Sequence, residues 1–97
     1  MARIVLEKGK WFEEDQAERY EEKLIFEPDE EGKEIHKCLF RTKKGNWVRN
    51  IWETVGGEVS GETYEEIDME EAADWFYNEG YESDEIPEDV FHPENEI

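Results

Sequence analysis

The sequence has no lysine or arginine after Arg49, although fifteen aspartates and glutamates follow Gly61. The first 60 residues carry eleven basic and fourteen acidic residues, a net charge of −3, and the last 37 residues carry the other −15 of the total −18. A field this negative repels nucleic acid and anionic membranes and attracts basic protein surfaces. The charge asymmetry therefore predicts a basic partner, such as a protein that holds nucleic acid.

Cysteine and long apolar runs are also scarce. The one cysteine, Cys38, has no partner for an internal disulfide. No apolar run approaches the 18 or so residues of a membrane span, and the start of the chain does not resemble a signal peptide. These absences predict a cytoplasmic location with no membrane partner.

Motifs of known catalytic chemistry are absent as well. The sequence contains no HExxH, CxxC, GxSxG or glycine-rich phosphate loop. His36 and Cys38 alternate on one predicted strand face, but two ligands fall short of the four that a structural zinc site needs. We therefore expect no enzyme activity, no metal and no cofactor, and interpret the pair as a strand histidine beside a buried thiol.

Thirteen per cent aromatic residues predict a folded domain despite the low overall hydropathy. Alternating apolar runs bounded by turn residues indicate strands. The predicted strands cover residues 3–6, 10–12, 23–27, 34–42, 47–54 and, at one edge, 64–67. The glycine-rich segment 55–61 predicts a flexible loop, and the helix formers of residues 13–22 predict a short N-terminal helix.

The clearest helix signal lies at residues 69–79. Asp68, with Glu71 three residues later, resembles a capping box, and Gly80 suits the position after the last turn. Together the elements predict an α+β domain over residues 1–81. It has a three- to four-stranded antiparallel sheet, a C-terminal amphipathic helix packed on one face and a short N-terminal helix. Residues 82–97 are acidic, contain two prolines and predict a flexible tail.

Basic residues cluster once, on the central predicted hairpin and close to aromatic side chains. They are Lys33, Lys37, Arg41, Lys43, Lys44 and Arg49. Interleaved basic and aromatic residues are one signature of nucleic-acid binding. The alternative is that these cations neutralise acids across the sheet, on a side that faces away from the partner.

The acids on and beside the C-terminal helix predict a protein-binding surface. Carboxylates three or four residues apart on a helix lie at about 5–6 Å, close enough to imitate a row of phosphates. Two aromatic residues at the edge of the apolar stripe are candidate anchors, although core packing is the alternative for Trp75. The predicted partner-binding residues are Glu62, Glu65, Glu66, Glu70, Glu71, Asp74, Trp75, Tyr77 and Glu79.

Three runs follow an order that resembles a group of small proteins from bacterial mobile elements and phages. They are GKW at residues 9–11, CLFRTKKGNW at 38–47 and IDMEEAADW at 67–75. The resemblance covers about residues 9–80 and implies an anti-defence role in a bacterial host. Several anti-CRISPR proteins are similar in size and charge. The long acidic tail and the tryptophan-rich third strand depart from the group's pattern.

Three hypotheses remain open from the sequence. The first is a non-enzymatic DNA mimic that blocks the basic groove of a host nucleic-acid-binding effector, such as a CRISPR nuclease. The second is an antitoxin-like or regulatory module that caps a basic partner. The third is nucleic-acid binding through the basic hairpin, by Lys37, Arg41, Lys43, Lys44 and Arg49.

Overall fold

Six strands and one α-helix make up the computed structural model, which describes residues 3–24, 29–91 and 97. The elements are β1 (Arg3–Val5), β2 (Trp11–Glu13), β3 (Glu18–Glu21), β4 (Lys33–Arg41), β5 (Trp47–Val55), β6 (Glu58–Ile67) and α1 (Met69–Asn78). Strands β3 to β6 form an antiparallel sheet in chain order, and β1 and β2 form a separate two-stranded sheet. The α+β prediction is confirmed.

The β4–β5 hairpin is the centre of the sheet. Its two nine-residue strands pair without interruption from Lys33↔Val55 to Arg41↔Trp47. Thr42 closes the turn, because its carbonyl accepts from the Gly45 amide at 2.8 Å and its hydroxyl accepts from the Asn46 amide at 3.1 Å. Gly45 has a φ of 89°, which favours glycine at this position.

Strand β6 is much longer than the predicted edge strand at residues 64–67. The predicted flexible loop at residues 55–61 is wrong, because Gly56 and Gly57 alone form the turn and β6 begins at Glu58. A bulge interrupts the β5–β6 register between Glu53 and Thr54. The first part of β6 is exposed on both sides, so it lacks the alternation of apolar residues that marks a half-buried strand.

The four-stranded sheet buries apolar residues on both faces. On one face, α1 packs over a cluster that includes Leu39, Trp47 and Ile67. On the other face, the β1–β2 hairpin supplies Ile4 and Phe12 to a cluster of sheet residues. Those sheet residues are Cys38, Phe40 and Val48. The alternation of side chains along β4 and β5 explains the division, since successive residues point to opposite faces.

Helix α1 begins and ends where the sequence predicts. The Asp68 carboxylate accepts from the Glu71 amide at 2.8 Å, which satisfies one of the free amides of the first turn. At the other end, the Gly80 amide bonds the Tyr77 carbonyl and the Tyr81 amide bonds the Phe76 carbonyl, a Schellman motif. The rings of Tyr81 and Phe76 also meet, with centroids 5.1 Å apart. These caps fix the helix relative to the sheet.

The predicted N-terminal helix at residues 13–22 is wrong. A 3₁₀ turn at Glu14–Gln16 separates β2 from β3. Phe12 then packs on Phe40 on one side of the sheet, and Tyr20 packs on Phe76 on the other, with centroids 5.4 Å and 4.9 Å apart. A continuous helix would place Phe12 and Tyr20 eight residues apart on a single face, so burial in two separate clusters overrides the helix propensity.

The predicted strand at residues 23–27 lies partly outside the described residues. Lys23 forms a bend and Leu24 has no regular structure, while residues 25–28 are not described. On the edge of β4 away from β5, the pairing strand is β3 instead, in the register Glu18↔Arg41 to Glu21↔Cys38.

The first part of the predicted flexible tail packs on the domain. Residues 82–91 form 3₁₀ turns at Ser83–Glu85 and Glu88–Val90, and Val90 is buried in the cluster beneath α1. Arg41 forms an ion pair with Asp89, and Lys23 forms one with Glu85. The expected tail from residue 82 therefore gives way to a docked segment up to Phe91. Residues 92–96 lie outside the described part of the chain.

Replacement of Phe76 by alanine tests the cluster beneath α1. Phe76 is fully buried against Tyr20, Trp47 and Trp75, so F76A is expected to lower the free energy of unfolding by about 3–5 kcal/mol. Its neighbour Tyr77 is 82% exposed, and Y77A is the matched control with an expected change within about 0.5 kcal/mol. Urea unfolding followed by tryptophan fluorescence measures both. Equal losses in the two variants would contradict this packing.

Candidate protein-binding surface

The outer face of α1 carries carboxylates without internal partners. Glu70, Glu71 and Asp74 are exposed, and no Lys or Arg among the described residues lies within ion-pair distance of them. Glu70 and Asp74 are four residues apart, and Glu71 and Asp74 are three apart, so they share one surface of the helix. We call these three residues the helix acids. The backbone that carries them is held by caps at both ends of α1.

Tyr77 lies on the same surface as the helix acids. It follows Asp74 by three residues and Glu70 by seven, which continues their stripe along the helix. Its side chain is among the most exposed large ones of the described chain, at 82%. An exposed aromatic ring beside charged residues suits an interface anchor.

Two of the predicted site residues lie inside the protein instead. Trp75 is 6% exposed and packs on Phe76 and Tyr81, so the core alternative for this residue holds. Glu79 is 3% exposed and forms an ion pair of 3.1 Å with Lys37. The buried positions of α1 are 72, 75 and 76, and position 79, the C-cap, continues the same 3.6-residue period on the inner stripe.

The three predicted acids on β6 differ in how far they are neutralised. Glu65 pairs with Arg49 at 2.8 Å and Glu66 pairs with Lys10 at 2.6 Å. Glu62 accepts a hydrogen bond from the Tyr64 hydroxyl at 3.2 Å. These carboxylates are exposed, but only Glu62 keeps its full charge free of a cation within the described residues.

Most cations of the central hairpin are neutralised within the protein. Four of them bind carboxylates from neighbouring strands, the C-cap of α1 or the docked segment, and which side of the sheet faces a partner stays a prediction. The pairs are Lys33–Glu53, Lys37–Glu79, Arg41–Asp89 and Arg49–Glu65. For these four residues, the structure agrees with the alternative interpretation of the basic cluster, in which the cations neutralise acids within the protein. It also removes Lys37, Arg41 and Arg49 from a nucleic-acid-binding surface.

Lys43 and Lys44 in the β4–β5 turn are the remaining cations of that cluster. Neither lies within ion-pair distance of a carboxylate in the described ranges. They border a groove of about 700 Å³ beneath the β1–β2 hairpin, which Trp11 and Glu66 also line. Two lysines are too few to hold a nucleic-acid backbone against the charge of the rest of the chain.

His36 and Cys38 make separate contacts within the protein. Their side chains share one face of β4, but His36 stacks on Trp52 and Cys38 is buried against Asn50. Burial raises the pKa of the Cys38 thiol to about 11, which keeps it protonated and unreactive. Within residues 3–24, 29–91 and 97, no group of three or more potential ligands is close enough to hold a metal ion.

The Arg41–Asp89 pair joins the C-terminal segment to the sheet. The Arg41 guanidinium donates to both carboxylate oxygens of Asp89 and lies over the Trp47 ring, 5.0 Å from its centroid. The hydrogen bonds from Arg41 lower the pKa of Asp89 below its usual range. An ionised Asp89 therefore helps to hold the docked segment, together with buried Val90 and the Lys23–Glu85 pair.

The buried pair of Glu79 and Lys37 makes a stability prediction. The variant K37M leaves the Glu79 carboxylate buried without a cation, and we expect it to lower the free energy of unfolding by about 1–3 kcal/mol. The double variant K37M/E79L is expected to recover part of that loss, since an apolar pair fills the same space. The control K33M breaks the half-exposed Lys33–Glu53 pair and should change the free energy of unfolding little. Urea unfolding of all three variants measures these changes. A double variant less stable than K37M would contradict this interpretation of the pair.

The Arg41–Asp89 pair also predicts a pH dependence. A carboxyl whose pKa is lowered by folding stabilises the folded state above its unfolded pKa, and this stabilisation disappears as pH falls through the folded pKa. We expect wild type to be more stable than D89N at neutral pH and equally stable below about pH 2. Urea unfolding across this range measures the difference. The control D84N removes an exposed, unpaired acid and should show no such convergence.

Comparisons with known proteins add no family to this description. No family model, curated protein or solved structure matches the chain. The resemblance to mobile-element proteins therefore stays a prediction. No helix in the described residues has the length and apolar character needed to cross a membrane. The surface of α1, with its helix acids and Tyr77, is thus the candidate site on its geometry alone.

Proposed function

We propose that this protein is a non-enzymatic acidic inhibitor that binds the basic groove of a nucleic-acid-binding protein. The observation that carries the proposal is the outer surface of α1. There the helix acids are exposed on a capped helix and have no cation near them among the described residues. Such a surface offers negative charge to a partner, and no internal ion pair has to break when the partner binds.

The spacing of the helix acids supports mimicry of a phosphate backbone. Phosphates follow one another at about 3.4 Å of axis along each DNA strand, and side chains three or four apart on a helix lie about 5–6 Å apart. The helix acids are three charges within two turns of one helix. A basic groove that releases counterions on binding DNA would release them on this surface as well.

The distribution of the cations also supports the proposal. Eight of the eleven basic residues form ion pairs with aspartate or glutamate inside the described chain; they are Arg3, Lys10, Arg19, Lys23, Lys33, Lys37, Arg41 and Arg49. Internal pairing leaves the excess acids to set the external field. A field of one sign steers a basic partner and speeds association at low salt.

We propose a host nucleic-acid-binding effector as the partner, with a CRISPR nuclease or complex as the specific candidate and a bacterial cytoplasm as the setting. An inhibitor of this kind needs neither a cofactor nor a catalytic group. Tyr77, on the same stripe as the helix acids, would supply apolar contact where charge alone gives little specificity. Trp75 and Glu79 would act through the fold rather than at the interface.

Charge reversal on α1 tests this function. The variant E70K/E71K/D74K should fold like wild type, because all three side chains are exposed, and should lose capture of basic proteins from bacterial lysate. The control E30K/D84K/E88K makes the same change in net charge at other exposed acids, which have no ion pair with another described residue, and should retain most of the capture. Duplex DNA added to the lysate should compete with wild type.

Two results would overturn the proposal. One is unchanged capture by the α1 variant, which would place binding elsewhere on the chain. The other is captured protein that duplex DNA fails to displace, which would show that the partner's nucleic-acid groove is not the surface bound. Circular dichroism of both variants establishes that each is folded before the capture is compared.

A further inference from the structure

Strand β6 leaves one of its edges unpaired. It is the last strand of the β3-β4-β5-β6 order and bonds only to β5 within the part of the chain that the structure describes. At ten residues it is the longest strand described, and it contains no proline. An exposed edge presents a row of free backbone N–H and C=O groups, which is a template for another strand.

Charge decides which strand this edge accepts. β6 carries Glu58, Glu62, Glu65 and Glu66 and no basic residue. Antiparallel pairing of two copies about Tyr64 would place Glu62 opposite Glu66 twice, and like charges directly opposite each other destabilise a sheet. This register is therefore unfavourable for a second copy of the chain, whereas an extended segment of opposite charge gains favourable cross-strand pairs at the same positions.

The alternation of side chains specifies the pattern of that segment. Glu62, Tyr64 and Glu66 follow at intervals of two and share one face of the sheet. Tyr64 is partly buried, and its ring lies 6.5 Å from Phe40 at the margin of the core. A complementary strand would place an apolar side chain opposite Tyr64 and a cation opposite each glutamate, where the cation opposite Glu66 would compete with Lys10. The pattern cation-x-apolar-x-cation reads the same in both chain directions, so it fits parallel or antiparallel addition.

We propose that β6 binds an extended basic segment of its partner as a fifth strand of the sheet. This inference rests on the proposed function, since it supplies the manner in which a basic protein is recognised beside α1. Backbone hydrogen bonds would supply affinity, and the alternate side chains would supply specificity. Asp68 follows β6 directly and the helix acids lie on the next element, so a strand that continues past Ile67 would meet more negative charge.

A synthetic peptide tests the proposal on the full chain. The probe is the acetylated and amidated peptide Lys-Thr-Lys-Thr-Val-Thr-Lys-Thr-Lys, which carries the required pattern. Two further peptides are N-methylated, one at every odd-numbered amide and the other at every even-numbered amide. All three have the same charge. A peptide paired along one edge uses only alternate amides, so one methylated form should bind about tenfold or more weakly while the other retains binding.

The location of binding is measured on the ¹⁵N-labelled protein. Addition of the parent peptide should shift the amide resonances of β6 and slow their hydrogen exchange. The variant E62Q/E66Q should weaken binding, and the control D84N/E88Q, with the same change in charge at exposed acids outside β6, should weaken it less.

Equal affinity of the three peptides would overturn strand addition, because electrostatic attraction alone does not distinguish the methylated forms. Shifts confined to α1 would overturn it as well. Either result leaves the α1 charge-reversal experiment untouched, so failure of the strand mode and failure of the proposed inhibitor function are separately visible.

Discussion

Burial on both faces of the β4–β5 hairpin is the constraint on which the structure depends. Neighbouring residues such as Leu39 and Phe40 are each fully buried, but in different clusters. The centre of this sheet carries apolar residues on both faces, so it needs a cover on each. Helix α1 and the docked C-terminal segment form one cover, and the β1–β2 hairpin forms the other.

The need to cover both faces of the sheet explains why some sequence predictions agree with the structure and others do not. The β4–β5 hairpin and α1 have strong local signals, a glycine turn and a capped amphipathic stripe, and both are found within a residue or two of their predicted bounds. Residues 13–22 have helix propensity but become a turn and a strand, because Phe12 and Tyr20 are needed on opposite faces. Only the tertiary structure contains that information.

The candidate surface follows the same division. The exposure of Glu70, Glu71 and Asp74 follows from helical periodicity, and the same periodicity places Trp75 and Glu79 inside. The ion pairs of Glu65 with Arg49 and Glu66 with Lys10 depend on strand register and on the position of the β1–β2 hairpin, which no local pattern specifies. On β6, the number of acids in the sequence therefore overstates the charge that is available to a partner. On α1, that number describes the available charge well.

The order of the strands has a consequence for how the chain folds. From β3 to β6 each strand pairs with the next one along the chain, and the two turns after β4 and β5 are short. Closing short loops costs little conformational entropy, so the central meander can form from local contacts before distant segments arrive. The charges are distributed along the same order. Eight of the eleven cations lie between Glu18 and Val55, the span from β3 to β5, and the acid-rich strand β6 and helix α1 follow them in the chain. A sheet that assembles in chain order therefore holds most of the positive charge before the acids of β6 are added.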